Sequence, residues 1–313
     1  MANRVAIIGC GSMGLFLASR LVSADAEVVL ACKRGGQAQL INSEGIVVEH
    51  DGQARARVSA AHIEAMPRYN YDIVLVAVKA FNVVDVAGKA NEVLRRDGIA
   101  VSIQNGLGAY EELASVVGGE RVFYAGIYAG AYRLNDNTVV YAGGRDIYIG
   151  PIGKEARNEE YINKAMELAS LLRSSGFNAV YVEDAEPWRW DKLAINASIN
   201  PVTALLGMPN SVIYRNKSAR LLAEALALEV ATVAKAKNIK LPRDPVNAVI
   251  KVAVETGANK SSMLQDIEAR RKTEIEYING AVVREAERHS IYVPFNQAML
   301  LLIKALEEAL GIE

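Results

Sequence analysis

Lys192, Asn196 and Asn200 are spaced by four within Trp188-Arg189-Trp190-Asp191-Lys192-Leu193-Ala194-Ile195-Asn196-Ala197-Ser198-Ile199-Asn200-Pro201, so on a helix they share one face. The residues between them are mostly apolar, which predicts that this face is enclosed. A lysine and two amides in such a place carry a high desolvation cost unless they meet a polar ligand. A solvated polar stripe is the plainer account, but few other charges stand between Leu193 and Asn216. Downstream, Ser262 and Gln265 fit a capping box, and a helix start of that kind exposes amide groups suited to a carboxylate. Glu274 and Glu276 follow in Thr273-Glu274-Ile275-Glu276-Tyr277-Ile278-Asn279-Gly280. Spacing alone leaves both open as solvated helix charges or as functional carboxylates.

A second constellation lies at the start of the chain. Gly9-Cys10-Gly11-Ser12-Met13-Gly14 fits G-x-G-x-x-G between a strand-like run and a helical one, the context in which the motif binds a dinucleotide. Its glycines allow a tight turn, a close backbone approach to a pyrophosphate, and close helix–strand packing. About 20 residues on, an NAD-type fold places an acid on the ribose 2′-hydroxyl. Here that place holds Lys33-Arg34-Gly35-Gly36. Arginine can bind a 2′-phosphate that a carboxylate would repel, so NADPH is expected over NADH. Lys79 directly follows the strand-like run Asp72 to Val78, and Gln104-Asn105-Gly106 follows Ile99 to Ile103. Both therefore belong at the carboxyl edge of a parallel sheet, where such sheets bind ligands.

The elements that must position these residues change character midway. Up to about residue 182, short β-branched runs (Val5 to Gly9, Val28 to Cys32, Ala179 to Val182) alternate with helical stretches (Met13 to Val22, Phe81 to Arg95, Ala156 to Arg173). Ile46 to Val58 reads as a hairpin, and Thr138 to Tyr141 and Asp146 to Ile149 as antiparallel additions to the sheet. From Glu186 the chain is helical, with long stretches at Ala219 to Lys237, Asp266 to His289 and Phe295 to Leu310. The expected fold is an α/β N-terminal Rossmann-type dinucleotide-binding domain (residues 1–185) plus an all-α C-terminal domain (residues 186–313) that carries substrate and catalysis. Pro187 opens the second domain, where proline suits a helix start.

Composition narrows the class. Of 313 residues 51% are hydrophobic, and 35 lysines and arginines against 36 acids leave a net charge of -1. That balance argues against nucleic acid or an anionic membrane as partner. Two cysteines and three histidines all but exclude a disulfide framework or a zinc cluster, and Cys10 and Cys32 are expected as two buried thiols. The short N-terminal apolar run suggests no signal peptide, and a cytoplasmic protein is expected.

In this order the segments resemble ketopantoate reductase, the NADPH-dependent 2-dehydropantoate 2-reductase family of pantothenate and coenzyme A synthesis. The resemblance spans the glycine loop, Val78-Lys79-Ala80, Asn105-Gly106, Lys-Leu-Ala-x-Asn-x-x-x-Asn-Pro, Ser-Ser-Met-Leu-Gln-Asp and Thr-Glu-Ile-x-Tyr-Ile-Asn-Gly. It implies that Lys192 is the general acid, donating a proton as hydride reaches the ketone, with Glu274 near the nicotinamide ribose and the substrate hydroxyl. It implies substrate contacts from Asn105, Lys192, Asn196, Asn200, Asn210, Asn259, Ser261 and Ser262. Cofactor contacts are implied for Gly9, Cys10, Gly11, Ser12, Met13, Gly14, Arg34, Lys79, Asn105 and Glu274, with no metal. Asn82 stands where relatives often carry glutamine, and Tyr132 where a small residue is expected near the nicotinamide. A reductase of another branched 2-oxo acid and a non-catalytic NADP-sensing module are the alternatives. The sensor would need neither Lys192 with Glu274 nor the asparagine face. A homodimer is a family-level expectation.

Overall fold

The computed structural model describes residues 4–24, 26–50, 52–153 and 157–312. The chain divides into two compact units, Met1–Gln104 with Ala109–Ala185, and Asn105–Gly108 with Glu186–Glu313. In the first unit the elements are β1 (Arg4–Ile8), α1 (Ser12–Leu21), β2 (Glu27–Cys32), α2 (Gly35–Glu44), β3 (Ile46–Glu49), β4 (Gln53–Ala56), β5 (Ser59–His62), β6 (Tyr71–Val76), α3 (Val83–Val93), β7 (Leu94–Ser102), α4 (Ala109–Val117), β8 (Val122–Tyr128), β9 (Ala131–Arg133), β10 (Thr138–Tyr141), β11 (Asp146–Gly150), α5 (Glu159–Ser174) and β12 (Asn178–Tyr181). The first strand's Val5, Ala6, Ile7 and Ile8 are buried, as continuous apolar strands of a helix-covered parallel sheet must be.

Among the described residues the main sheet runs β12-β11-β8-β7-β6-β1-β2-β5. The pairs from β5 through β8 are all parallel, and β11 adds antiparallel to β8. Strand order reverses between β1 and β6, which is the topological switch point of a doubly wound sheet. The expected α/β Rossmann-type unit is therefore present.

Thr138 to Tyr141 does not extend that sheet as expected. β10 runs parallel to β3 and antiparallel to β9 in a second sheet of order β4-β3-β10-β9. Its inward Val139 and Tyr141 join the core beneath α1, where Tyr141 stacks on Phe16 at 5.0 Å between ring centroids. Alternation in a strand sets which face is buried, and leaves the partner to be chosen by packing.

Cys10 and Cys32 are a disulfide, not the two thiols expected, and their Cα atoms are 5.2 Å apart. Neighbouring parallel strands bring the end of β2 beside the loop that follows β1, where the Gly9 amide donates to the Ala31 carbonyl at 3.0 Å. Two cysteines at matching strand ends thus meet within bonding range. One bridge is not a framework, and the core of this unit remains a hydrophobic one.

The second unit is built from α6 (Glu186–Leu206), α7 (Val212–Arg215), α8 (Lys217–Ala236), α9 (Pro245–Glu255), α10 (Ser262–Glu268), α11 (Asn279–Arg288) and α12 (Pro294–Ala309). The helical stretch expected over Asp266 to His289 is broken. After α10 the main-chain N–H of Arg271 donates to the Asp266 carbonyl at 2.8 Å and that of Arg270 to Ile267 at 3.0 Å. Arg270 has φ +49°. This is a Schellman stop with an arginine where glycine usually stands, so no sequence signal announces it.

α6 keeps its course through Pro201. A proline there has no N–H for the Ala197 carbonyl. The buried Asn279 supplies the donor instead, Nδ2 to Ala197 O at 3.1 Å, and also donates to Asn296 Oδ1 at 3.0 Å. The helix is held further by Asp191, whose two carboxylate oxygens accept from Arg243 at 2.8 and 2.6 Å.

Candidate active site

In the first unit the glycine loop joins β1 to α1. A Cβ on Gly14 would lie 1.8 Å from the Gly9 carbonyl oxygen, so only glycine lets α1 pack this closely. Gly11, the extended N-cap residue, provides no side-chain cap, and open space lies where its Cβ would be. The first amides of α1, from Ser12 and Met13 onward, are therefore left for an anion, and helix polarity favours one. Lys79 is half-buried just beyond β6. Arg34, at the end of β2, has a side chain 56% exposed and paired with Asp136. Free helix-start amides and nearby cations are groups of the kind that could hold a dinucleotide phosphate.

In the second unit a polar group gathers around α6. Lys192 and Asn196 are half-buried, and Asn200 and Glu274 are buried. Asn196 Nδ2 donates to Asn105 Oδ1 at 3.2 Å, and Asn105 Nδ2 donates to Glu274 Oε2 at 3.1 Å. The Asn105 segment is locked by its own main chain, with the Leu107 amide donating to the Tyr277 carbonyl at 2.9 Å. Gly106 has φ +83°, and a Cβ there would sit 1.9 Å from that same oxygen. Desolvation, only partly offset by the Glu274 charge, lowers the Lys192 ammonium from 10.5 to about 8. A lysine so placed is still largely protonated at neutral pH and gives up its proton far more readily than a free lysine.

A second polar group is centred on the loops before α10. The Asn210 amide donates to the Asn259 carbonyl at 2.9 Å, and Asn210 Nδ2 donates to Thr256 Oγ1 at 2.8 Å. Asn210 Oδ1 is buried with no hydrogen-bond partner among the described residues. Such an acceptor is costly unless a ligand donor reaches it. Ser261, not Ser262, is the N-cap of α10, its hydroxyl accepting from Leu264 N at 3.1 Å. Gln265 reaches the Lys260 carbonyl at 2.9 Å, so the capping box expected at Ser262 is absent and Ser262 is exposed. Thr203, passed over in the sequence, donates to Ser261 Oγ at 2.7 Å from α6. Its position three residues beyond Asn200 was the available clue. Asp136, Arg133 and Gln37 carried no sequence signal, since Asp136 is 102 positions from the arginine it meets.

The family model described as ketopantoate reductase PanE/ApbA matches residues 5–154, and its C-terminal counterpart matches residues 184–307. A 2-dehydropantoate 2-reductase from Archaeoglobus fulgidus is 33% identical over 98% of this chain and 99% of its own. The chain belongs to the ketopantoate reductase family. A 2-dehydropantoate 2-reductase from Pyrobaculum aerophilum is 41% identical over 74% of this chain and 76% of its own. Among solved structures, the ternary structure of D-mandelate dehydrogenase with NADH and anilino(oxo)acetate superposes with a TM-score of 0.89. That match has 21% identity, covers 99% of this chain and 100% of the other, and is a likeness of fold. No helix among the described residues is long and apolar enough to cross a membrane, and no cluster of metal-ligating side chains occurs among them.

Proposed function

We propose that this member of the ketopantoate reductase family reduces 2-dehydropantoate to (R)-pantoate with NADPH, in the cytoplasm, on the route to pantothenate and coenzyme A. The two units would serve as an NADP-binding domain and a substrate domain, in a homodimer. Bound NADPH supplies the hydride. The residues proposed to hold it are Gly9 to Gly14 with Arg34, Lys79, Asn105 and Glu274. The observation that carries the reading is the half-buried Lys192, desolvated to a pKa of about 8 while Glu274 provides a countercharge.

The ammonium of Lys192 stabilises negative charge developing on the substrate ketone oxygen and gives its proton to that oxygen. Glu274 helps keep the lysine protonated before the step. Asn105 holds the Glu274 carboxylate and is itself oriented by Asn196. Asn200, Asn210, Asn259, Ser261 and Ser262 are the proposed contacts to the substrate carboxylate and hydroxyl, with Thr203 fixing the Ser261 hydroxyl.

The test is NADPH oxidation with 2-dehydropantoate against pyruvate and an aryl 2-oxo acid. A clear preference for 2-dehydropantoate supports the assignment, and comparable rates with the others would replace it by a broader 2-oxo acid reductase. Lys192→Ala should lower turnover by roughly 10²–10⁴-fold. Wild-type turnover in that variant removes the lysine from the chemistry.

A further inference from the structure

Asp136 lies in the turn between β9 and β10, and Arg34 Nη2 donates to its Oδ1 across 102 positions of sequence. The same Oδ1 is 3.9 Å from Arg133 Nη1, which also lies 3.3 Å from the Cys10 carbonyl of the glycine loop. Gln37 joins the pieces, accepting from Arg34 Nη2 at 3.2 Å and donating to the main-chain carbonyls of Cys10 at 2.9 Å and Asp136 at 2.8 Å. The turn itself is anchored by the buried Asn137, whose Nδ2 donates to the Gly45 carbonyl at 3.0 Å. One carboxylate therefore stands between two guanidiniums at the end of β2. That is where a Rossmann-type unit reads the 2′-substituent of the adenosine ribose.

Charge decides what such an arrangement does. A phosphate monoester brings about −1.5 to −2 charges and three acceptor oxygens at neutral pH, against one charge and two oxygens from a carboxylate. The Arg34 side chain is 56% exposed and that of Asp136 38%, so their pair is screened by water and readily exchanged. The side chain of Arg133 is 29% exposed, and its position beside the Cys10 carbonyl keeps it at the loop.

We infer that Asp136 is a specificity-determining residue whose carboxylate occupies the 2′-phosphate site, competing with the phosphate for Arg34, and that Arg133 is the second guanidinium that receives the phosphate. The inference rests on the NADPH reading for its physiological meaning. On this account Asp136 moderates the discrimination between NADPH and NADH that Arg34 would otherwise impose.

Calorimetric titration with 2′,5′-ADP and with 5′-AMP isolates the contribution of the 2′-phosphate without turnover. Asp136→Asn is expected to raise the affinity ratio for 2′,5′-ADP over 5′-AMP by about 3- to 10-fold. Arg133→Gln should lower it about tenfold while 5′-AMP binding changes less than about twofold. An unchanged or reduced ratio in Asp136→Asn overturns the inference, as does an unchanged ratio in Arg133→Gln. Asp136→Ser is read in the same way should the asparagine variant fold poorly. If the unaltered protein binds both nucleotides equally, the NADPH reading fails. Acquisition of a 2′-phosphate preference by Asp136→Asn would then still uphold the competing carboxylate, and its absence would end both.

Discussion

Asn279 donates its side-chain amide to the main-chain carbonyl of Ala197 at 3.1 Å, the acceptor that Pro201 leaves without a helical partner. The helix that carries Lys192, Asn196 and Asn200 therefore passes through a proline without an unsatisfied carbonyl. Asn279 is fully buried, so the pairing is shielded from water. Asn279→Leu should destabilise the protein by about 1–3 kcal/mol, the cost of stranding a buried polar group. Denaturant titration measures it, and an unchanged midpoint would show that Ala197 needs no such partner.

The depressed Lys192 ammonium has consequences for both activity and stability. As the proposed general acid Lys192 would have to be protonated to act, so kcat/KM for reduction should fall above a pH of about 8, tenfold per unit. For stability the sign is opposite. The folded state holds the lysine proton less tightly than the unfolded one, so the penalty is full below about 8 and disappears as pH rises towards 10.5. Lys192→Met is expected to turn over roughly 10²–10⁴-fold more slowly yet to be more stable than the unaltered protein at pH 7, with the gap closing by pH 10.5. Thermal melts at both pH values decide it; equal melting temperatures at pH 7 would contradict a desolvated lysine.

Glu274 counteracts part of that desolvation. In Glu274→Gln the countercharge is gone while the hydrogen bond to Asn105 can be kept with the amide oxygen. The alkaline limb of kcat/KM should move to lower pH. A residue that mattered only for packing would leave the limb in place and change rates uniformly.

The Cys10–Cys32 bridge closes a loop with a sequence separation of 22. Chain-entropy reasoning assigns such a loop about 3 kcal/mol. Reduction, or the pair Cys10→Ala with Cys32→Ala, should lower the unfolding midpoint accordingly. Mass spectrometry under non-reducing conditions reports whether the bond is present, and coincident unfolding curves for oxidised and reduced protein would show that it contributes nothing.

Local chemistry made much of this protein legible from its residues in order. A G-x-G-x-x-G loop between an apolar strand and a helix needs only neighbours in sequence to be recognised, and the spacing of Lys192, Asn196 and Asn200 needs only the pitch of a helix. The α/β and all-α halves follow from hydrophobic periodicity in the same way. What the tertiary structure decided depends on contacts between distant segments. β10 left the main sheet because packing beneath α1 offered it a different partner in β3. Cys10 and Cys32 became a bridge because parallel pairing aligned two strand ends. The α10 stop fell on an arginine, and Asn279 met the gap left by Pro201 from another helix. Asp136 reached Arg34 from a turn in the second sheet. A pattern along the chain encodes which face a residue shows, but the group that meets it there is chosen only when the whole chain packs.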